Sequence, residues 1–279
     1  MSVPIFYSSS GEMDPAVFDG FRELIHKTSG IYLSENKVSL LLARIGKRMR
    51  AKGLSSPGDY LQSVLADKSG SELGELLNAI STNVTYFFRE ALHFEFLAKK
   101  TRARPAGETG PFRIWCAACS TGEEPYSIAM TALENMADPA NLEIIASDIS
   151  TKVLQIAKFG VYKGEETKGI GPALLKKYFQ VGTGKARDFL RAKDILRDRI
   201  TFKQINLSTP PFPVEGLVDI VFCRNVMIYF NDALKKQLLH DFHAKLKPGG
   251  TLVVGLAESL SGRSDKFQSI GHSVYAKIP

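Results

Sequence analysis

The sequence predicts an all-helical N-terminal domain followed by an α/β domain built on a parallel, doubly wound sheet. Three observations carry that expectation. Apolar residues recur at helical spacing from residue 12 to about residue 98. From Phe112 onward, short and almost continuously apolar runs alternate with helical text, the pattern of strands buried on both faces. Between the two lies KKTRARPAGETG, charged, broken by Pro and Gly and without an apolar period. Residues 1–98 therefore read as the helical domain, 99–111 as a linker and 112–279 as the α/β domain.

In the helical domain Val17, Phe18, Phe21, Leu24 and Ile25 form a first apolar stripe. Asp14-Pro15 starts it, an N-cap residue followed by proline at the first helical position. Val38, Leu41, Leu42, Ile45 and Met49 form a second stripe. Pro57-Gly58 marks a turn before Tyr60, Leu61, Val64 and Leu65, and residues 72–80 are a further amphipathic stretch. In the α/β domain the candidate strands are FRIWCAA, LEIIASDI, ITFKQINL, LVDIVFCRN and GTLVVGLA, with HSVYAKI as a final edge strand. The helices between them fall at residues 125–136, 151–159 and 232–246. Residues 160–199 are long for one crossover and predict a small β excursion around Gly182 and Gly184, at about 178–200.

The composition, 44% hydrophobic and 23% charged, is that of a soluble globular chain. Lys plus Arg is 36 against 29 for Asp plus Glu, a net charge of +7. This excess suits an acidic partner surface without demanding nucleic acid. No run of about 18 apolar residues is present, so no membrane insertion is expected. The start, MSVPIFYSSSGEMD, lacks the basic and apolar regions of a secretory signal. Three Cys cannot form a disulfide framework, and the expected compartment is the cytoplasm. Cys116-x-x-Cys119 offers only two thiolates with no His nearby, so no metal is expected.

Four places could carry chemistry. The first candidate strand ends in ACSTGEEP, residues 118–125, where small residues and Gly122 let a ligand approach the backbone. Glu123 and Glu124 would compete with a phosphate for the helix N-terminus, which disfavours a diphosphate; the alternative is an ordinary tight turn with capping acids. Asp148, ending the second strand, either takes a ribose diol or caps the helix near Thr151. A nucleoside without a diphosphate points to S-adenosylmethionine. Arg224 and Asn225 follow the apolar run DIVFC and face either a ligand or another loop; Tyr229 adds a phenol within reach of the same place. Arg89, among the aromatics of TNVTYFFRE, needs an anion, either a methionine carboxylate or a local Glu.

TNVTYFFRE, CSTGEEPYS, SDIS, CRNVMIYF and LKPGG, in this order, resemble the CheR-type chemoreceptor glutamate O-methyltransferases of bacterial chemotaxis, from about residue 13 to 277. The chain departs from the family at Cys116, where Ser is expected, and at Ala118, often Gly. The resemblance implies a class I, Rossmann-like methyltransferase domain with a small inserted β subdomain. It implies S-adenosyl-L-methionine as cofactor, S-adenosyl-L-homocysteine as product, and cofactor contacts from Asn83, Thr85, Arg89, Glu123, Asp148, Asn206, Leu207, Arg224 and Asn225. Arg89 and Tyr229 would act in catalysis by orientation and electrostatics, because a glutamyl carboxylate, pKa about 4.3, is already ionised at neutral pH and needs no general base. Gly182, Gly184 and Arg191 resemble the version of the β subdomain that grips a receptor's C-terminal tail, although Asp188 stands where another Gly is expected.

The stretch 37–52 holds Lys37, Arg44, Lys47, Arg48, Arg50 and Lys52 and no acid. It is either a solvated face or a docking surface for the acidic receptor helices; Arg44 and Arg50 are the expected contacts. The expected partner is thus the cytoplasmic domain of a methyl-accepting chemoreceptor, met by a monomer. Two rivals stand beside this. A nucleic-acid methyltransferase would use TPPF (209–212) as a base-extracting box, but the box precedes the fourth strand rather than following it. A non-catalytic signalling module would bind the cofactor without turnover.

Overall fold

The computed structural model describes residues 13–105, 107–108, 110–260 and 265–279. The chain divides into two compact units, Met1–Thr82 with Tyr229–Asn231, and Asn83–Ile228 with Asp232–Pro279.

The first unit holds α1 (Pro15–Ser29), α2 (Val38–Ala51), α3 (Pro57–Ala66) and α4 (Ser71–Ile80). Asp14 caps α1 by accepting from Ala16 N at 2.7 Å, and Gly30 ends it with a left-handed φ of 73°. The apolar stripes meet in one core: Phe18, Phe21 and Ile25 of α1, Leu41, Ile45 and Met49 of α2, Tyr60 and Val64 of α3, Leu76 and Ile80 of α4. One acid is buried beside this core. Glu72 accepts two bonds from Arg48, 3.1 and 2.7 Å, and one from the Tyr60 hydroxyl, 2.9 Å. Arg48, one of the cations of the 37–52 stretch, is therefore engaged within the unit rather than on a solvated face. Residues 229–231 join it through Tyr32 N–H, which donates to Tyr229 O at 2.8 Å, and a bridge between Ile31 and Phe230.

The second unit runs α5 (Leu92–Arg102), β1 (Phe112–Ala117), α6 (Glu123–Asn135), β2 (Leu142–Asp148), α7 (Thr151–Phe159), β3 (Val161–Lys163), α8 (Pro172–Tyr178), β4 (Phe179–Val181), β5 (Phe189–Ala192), α9 (Asp194–Arg197), β6 (Ile200–Gln204), β7 (Val218–Cys223), α10 (Asp232–Lys245), β8 (Leu246–Val254), β9 (Phe267–Gly271) and β10 (Val274–Lys277). The main sheet has the order β6-β2-β1-β7-β8-β10-β9. Its first five strands pair in parallel, and β10 is antiparallel to both neighbours. Trp115 is fully buried on β1, and its indole N–H donates to Ser147 Oγ at 2.9 Å, the partner a buried Trp requires.

Three expectations need correction. The division falls between Thr82 and Asn83, not at residue 98. α5 packs on α6 and buries Phe94 and Leu97 in the core of the sheet unit; an amphipathic stripe announces a buried face but not which core receives it. The edge strand is β9, not the final strand, which is flanked on both sides. The small β subdomain starts earlier than residue 178, because β3 pairs with β5 and completes a three-stranded sheet β3-β5-β4.

Candidate active site

In an open α/β sheet, ligands bind beyond the carboxyl ends of the strands, where the strand order reverses. Here that place lies at the ends of the neighbouring strands β2, β1 and β7. The chain leaves β1 with left-handed φ at Ala118 (77°), Ser120 (49°) and Gly122 (103°). Ala118 N–H and Cys119 N–H both donate to Ser147 O at 2.8 Å, so the turn is tied to the end of β2.

Asp148 sits at that end, 8% exposed. Its Oδ2 accepts from Ser120 N at 2.9 Å and its Oδ1 from Ser150 N at 3.0 Å. Burial pushes its pKa up, while the backbone N–H groups of Ser150, Ser120 and Ile149 pull the other way. The cap of α7 is Ser150, whose hydroxyl accepts from Val153 N at 3.3 Å. Asp148 is thus not the helix cap, and each of its oxygens keeps a lone pair for a ligand hydroxyl. Ile205 N donates to Asp148 O at 3.1 Å, which brings Asn206 and the buried Leu207 beside it. The Asn206 side chain folds back to accept from Ser208 N at 3.0 Å.

Gly122 also answers a need of the protein's own packing. A Cβ there would lie 2.7 Å from Tyr162 Oη and 2.9 Å from Ala157 Cα, so packing and the left-handed φ of 103° both require glycine. Glu123 opens α6, and its Oε2 accepts from Thr121 Oγ at 2.7 Å. Burial raises the Glu123 pKa against the pull of that hydroxyl.

Residues 83–90 form an irregular strap that ends in a turn, rather than part of a helix, and they belong to the sheet unit. Ser120 Oγ donates to Asn83 O at 3.0 Å and Phe88 N to Ser127 Oγ at 3.0 Å. Phe87 is buried edge-on to Tyr162 and Phe179. Thr85 and Arg89 are half-buried. Arg89 donates to Val84 O at 3.0 Å and lies 5.8 Å from the Tyr86 ring centroid, and it makes no ion pair among the described residues.

Arg224 behaves as a tie between loops. Its guanidinium is buried, donating to Glu124 Oε2 at 2.7 Å, to Glu90 Oε2 at 3.1 Å and to Arg89 O. Asn225, at φ 57°, donates from its side chain to Glu90 Oε1 at 3.2 Å and from its backbone to Glu258 Oε2 at 2.8 Å. Of the two sequence readings for this pair, the link between loops describes these contacts. Glu90, Glu124 and Glu258 carry the link; the sequence marks Glu124 only as an acid at the helix N-terminus and does not single out Glu90 or Glu258. The available signal is an acid next to apolar or small residues at each place: Glu90 after Phe87-Phe88, Glu124 in the first turn of α6 and Glu258 after β8.

Arg44, Arg50 and Tyr229 belong to the helical unit; Arg44 donates to Ser81 O at 3.4 Å and Arg50 is exposed. Gly182 and Gly184 form the turn between β4 and β5, and Arg191 is an exposed residue of the central strand β5. TPPF is a loop whose Phe212 is buried against Trp115 and Phe242, which withholds its aromatic ring from any base. Among the described residues no group of three His, Cys, Asp or Glu side chains is placed to hold a metal, and no helix is long and apolar enough to cross a membrane.

Residues 83–276 match the family model of the CheR methyltransferase, SAM binding domain, and residues 16–81 match that of the CheR methyltransferase, all-alpha domain. The chain belongs to the CheR methyltransferase family. The two matches meet where the compact units divide. The chain is 38% identical to the chemotaxis protein methyltransferase of Escherichia coli K12 and 39% to that of Salmonella typhimurium, in both cases over 95% of this chain and 91% of the relative. It is 38% identical to chemotaxis protein methyltransferase 2 of Pseudomonas aeruginosa, over 98% of this chain and 97% of the relative. A glycopeptide N-methyltransferase solved with sinefungin covers 67% of this chain and 61% of its own at 18% identity and a TM-score of 0.37, too distant to bear on the assignment.

The CheR chain is therefore a methyltransferase of the chemotaxis type that uses S-adenosylmethionine. Its strand ends fit that cofactor. A buried carboxylate with two spare acceptor sites suits a ribose diol, acids at the α6 N-terminus suit a ligand without a diphosphate, and Arg89 without an ion pair suits a carboxylate.

Proposed function

We propose that this CheR protein methylates glutamate side chains in the cytoplasmic region of chemoreceptors, forming methyl esters. The observation that carries this reading is the state of the acids at the strand ends. Asp148 is held by backbone amides, and Glu90 and Glu124 by Arg224. In this reading Asp148 is committed to the ribose diol and Glu90 and Glu124 to Arg224, so none of them is assigned as a general base, and a carboxylate substrate, ionised at neutral pH, needs none.

Bound S-adenosylmethionine supplies a methyl group already activated on a sulfonium. The chain then has to orient and desolvate. Asp148 takes the ribose diol, Arg89 the methionine carboxylate, and Asn83, Thr85, Glu123, Asn206 and Leu207 line the rest. Tyr229 orients the incoming carboxylate with its phenol. The cations of α2, with the half-buried Arg44 and the exposed Arg50 foremost, steer an acidic receptor helix, and Gly182, Gly184 and Arg191 receive a receptor tail. The protein acts as a monomer in the cytoplasm, where these receptor regions lie.

The test is transfer of a tritiated methyl group to purified receptor cytoplasmic fragments, with and without their C-terminal tails. The expected label is released by mild alkali, as a carboxyl ester is. An alkali-stable label, or label on nucleic acid with the receptor untouched, overturns the reading.

A further inference from the structure

The backbone on both sides of Arg89 is left-handed: Phe88 has φ 57° and Glu90 has φ 59°. Such values are uncommon for any side chain other than glycine, and rarest for bulky ones. Two of them around one residue set its direction and need an outside hold to persist. Glu90 supplies that hold. Its carboxylate accepts from Arg224 Nη2 at 3.1 Å, from Asn225 Nδ2 at 3.2 Å and from Leu256 N at 3.2 Å. These donors come from the loops after β7 and β8, which are neighbours in the sheet, with β7 next to β1. Arg224 also donates to the carbonyl of Arg89 itself. On the other side, the buried His93 faces Glu90 at 3.4 Å through Nδ1 and donates from Nε2 to His272 O at 2.8 Å, in the turn between β9 and β10.

We propose that Glu90 is a positioning residue, which acts through Arg89 by pinning the strap in the conformation that aims the Arg89 guanidinium at the cofactor. The proposal rests on the reading of Arg89 as a cofactor contact and names what holds it in place. Burial alone would raise the Glu90 pKa; the hydrogen bond from Asn225 and the charge of Arg224 outweigh it and keep the group below the usual range, so the hold is an ionic one at neutral pH.

A double-mutant cycle tests it, with S-adenosylhomocysteine titrated calorimetrically into the full chain and folding checked by thermal denaturation. The four proteins are the native chain, Glu90→Gln, Arg89→Ala and the double variant. Arg89→Ala and Glu90→Gln are each expected to weaken binding by about 10-fold, the worth of one charge-assisted bond. In the Arg89→Ala background Glu90→Gln should cost less than about 2-fold, because the residue it positions is gone. Equal losses in both backgrounds, or no loss from Glu90→Gln in the native background, overturn the positioning role. Native affinity in Arg89→Ala alone overturns the reading of Arg89 and the proposal with it, which separates the two failures. Should Glu90→Gln not fold, Glu90→Asp, which keeps the charge with a shorter reach, goes through the same cycle with the same outcomes.

Discussion

Arg224 and Glu124 form an ion pair closed off from water, Nη1 to Oε2 at 2.7 Å, with the arginine side chain 0% exposed and the glutamate 11%. The pair joins the end of β7 to the first turn of α6, 100 residues apart in sequence. Removing one partner leaves the other charged and buried. Arg224→Ala is expected to cost about 3–5 kcal/mol of stability, read from the denaturant midpoint. A midpoint at the native value would mean that Arg224 does not hold the loops together.

The helical unit has its own acid dependence. Burial alone would raise the Glu72 pKa; the hydrogen bonds from Arg48 and Tyr60 and the charges of Arg48 and Lys52 outweigh it, and the folded value lies below the ordinary one. The stabilisation is therefore complete above the unfolded pKa of about 4.3 and is lost as pH falls through the lower, folded value. Denaturation followed from neutral pH to about pH 3 should show an acid limb to which Glu72 contributes. Glu72→Gln is expected to flatten it and to lower stability at neutral pH. An unchanged acid limb would contradict the assignment.

The two glycines of the β4–β5 turn differ in what they require. A Cβ on Gly182 would lie 2.1 Å from the carbonyl oxygen of Ala186, a backbone atom that cannot rotate away. Gly184 has open space around it but a φ of +57°. Gly182→Ala should displace the turn and abolish tail-dependent stimulation of receptor methylation, with S-adenosylhomocysteine affinity unchanged. Gly184→Ala should lower stability by about 1 kcal/mol and keep most of that stimulation. Full stimulation in Gly182→Ala would remove this turn from tail recognition.

Reversing the charge of Arg44 and Arg50 together is expected to slow receptor methylation at low ionic strength, with the difference shrinking as salt screens the interaction. Initial rates measured across a salt series check this. Equal rates at low salt would leave α2 as a solvated face.

Much of this architecture is legible in the residues. The stripes of α1 and α2 and the apolar runs of β1, β2 and β7 announce themselves because each buries a regular face. Asp148 is legible as an acid ending a buried strand, but only the structure shows that Ser150 and not Asp148 caps α7. The destination of α5 is not, since Phe94 and Leu97 would suit either core. β9 escapes detection because only Phe267 of its five residues is buried, and pairing with β10 defines it. Least legible are the ties of Glu90, Glu124 and Glu258. Each joins groups brought together by the sheet order, and a local reading of CRNV cannot tell a ligand contact from a loop tie.

Everything assigned to the strand ends turns on Asp148 receiving the cofactor. The direct measurement is calorimetric titration of S-adenosylhomocysteine into the native chain, Asp148→Asn and Asp148→Ala. Loss of hydroxyl bonds to a charged acceptor should weaken binding by about 10- to 100-fold in Asp148→Ala, with a folded thermal transition retained. Native affinity in a folded Asp148→Ala would place the cofactor somewhere other than the ends of β1, β2 and β7.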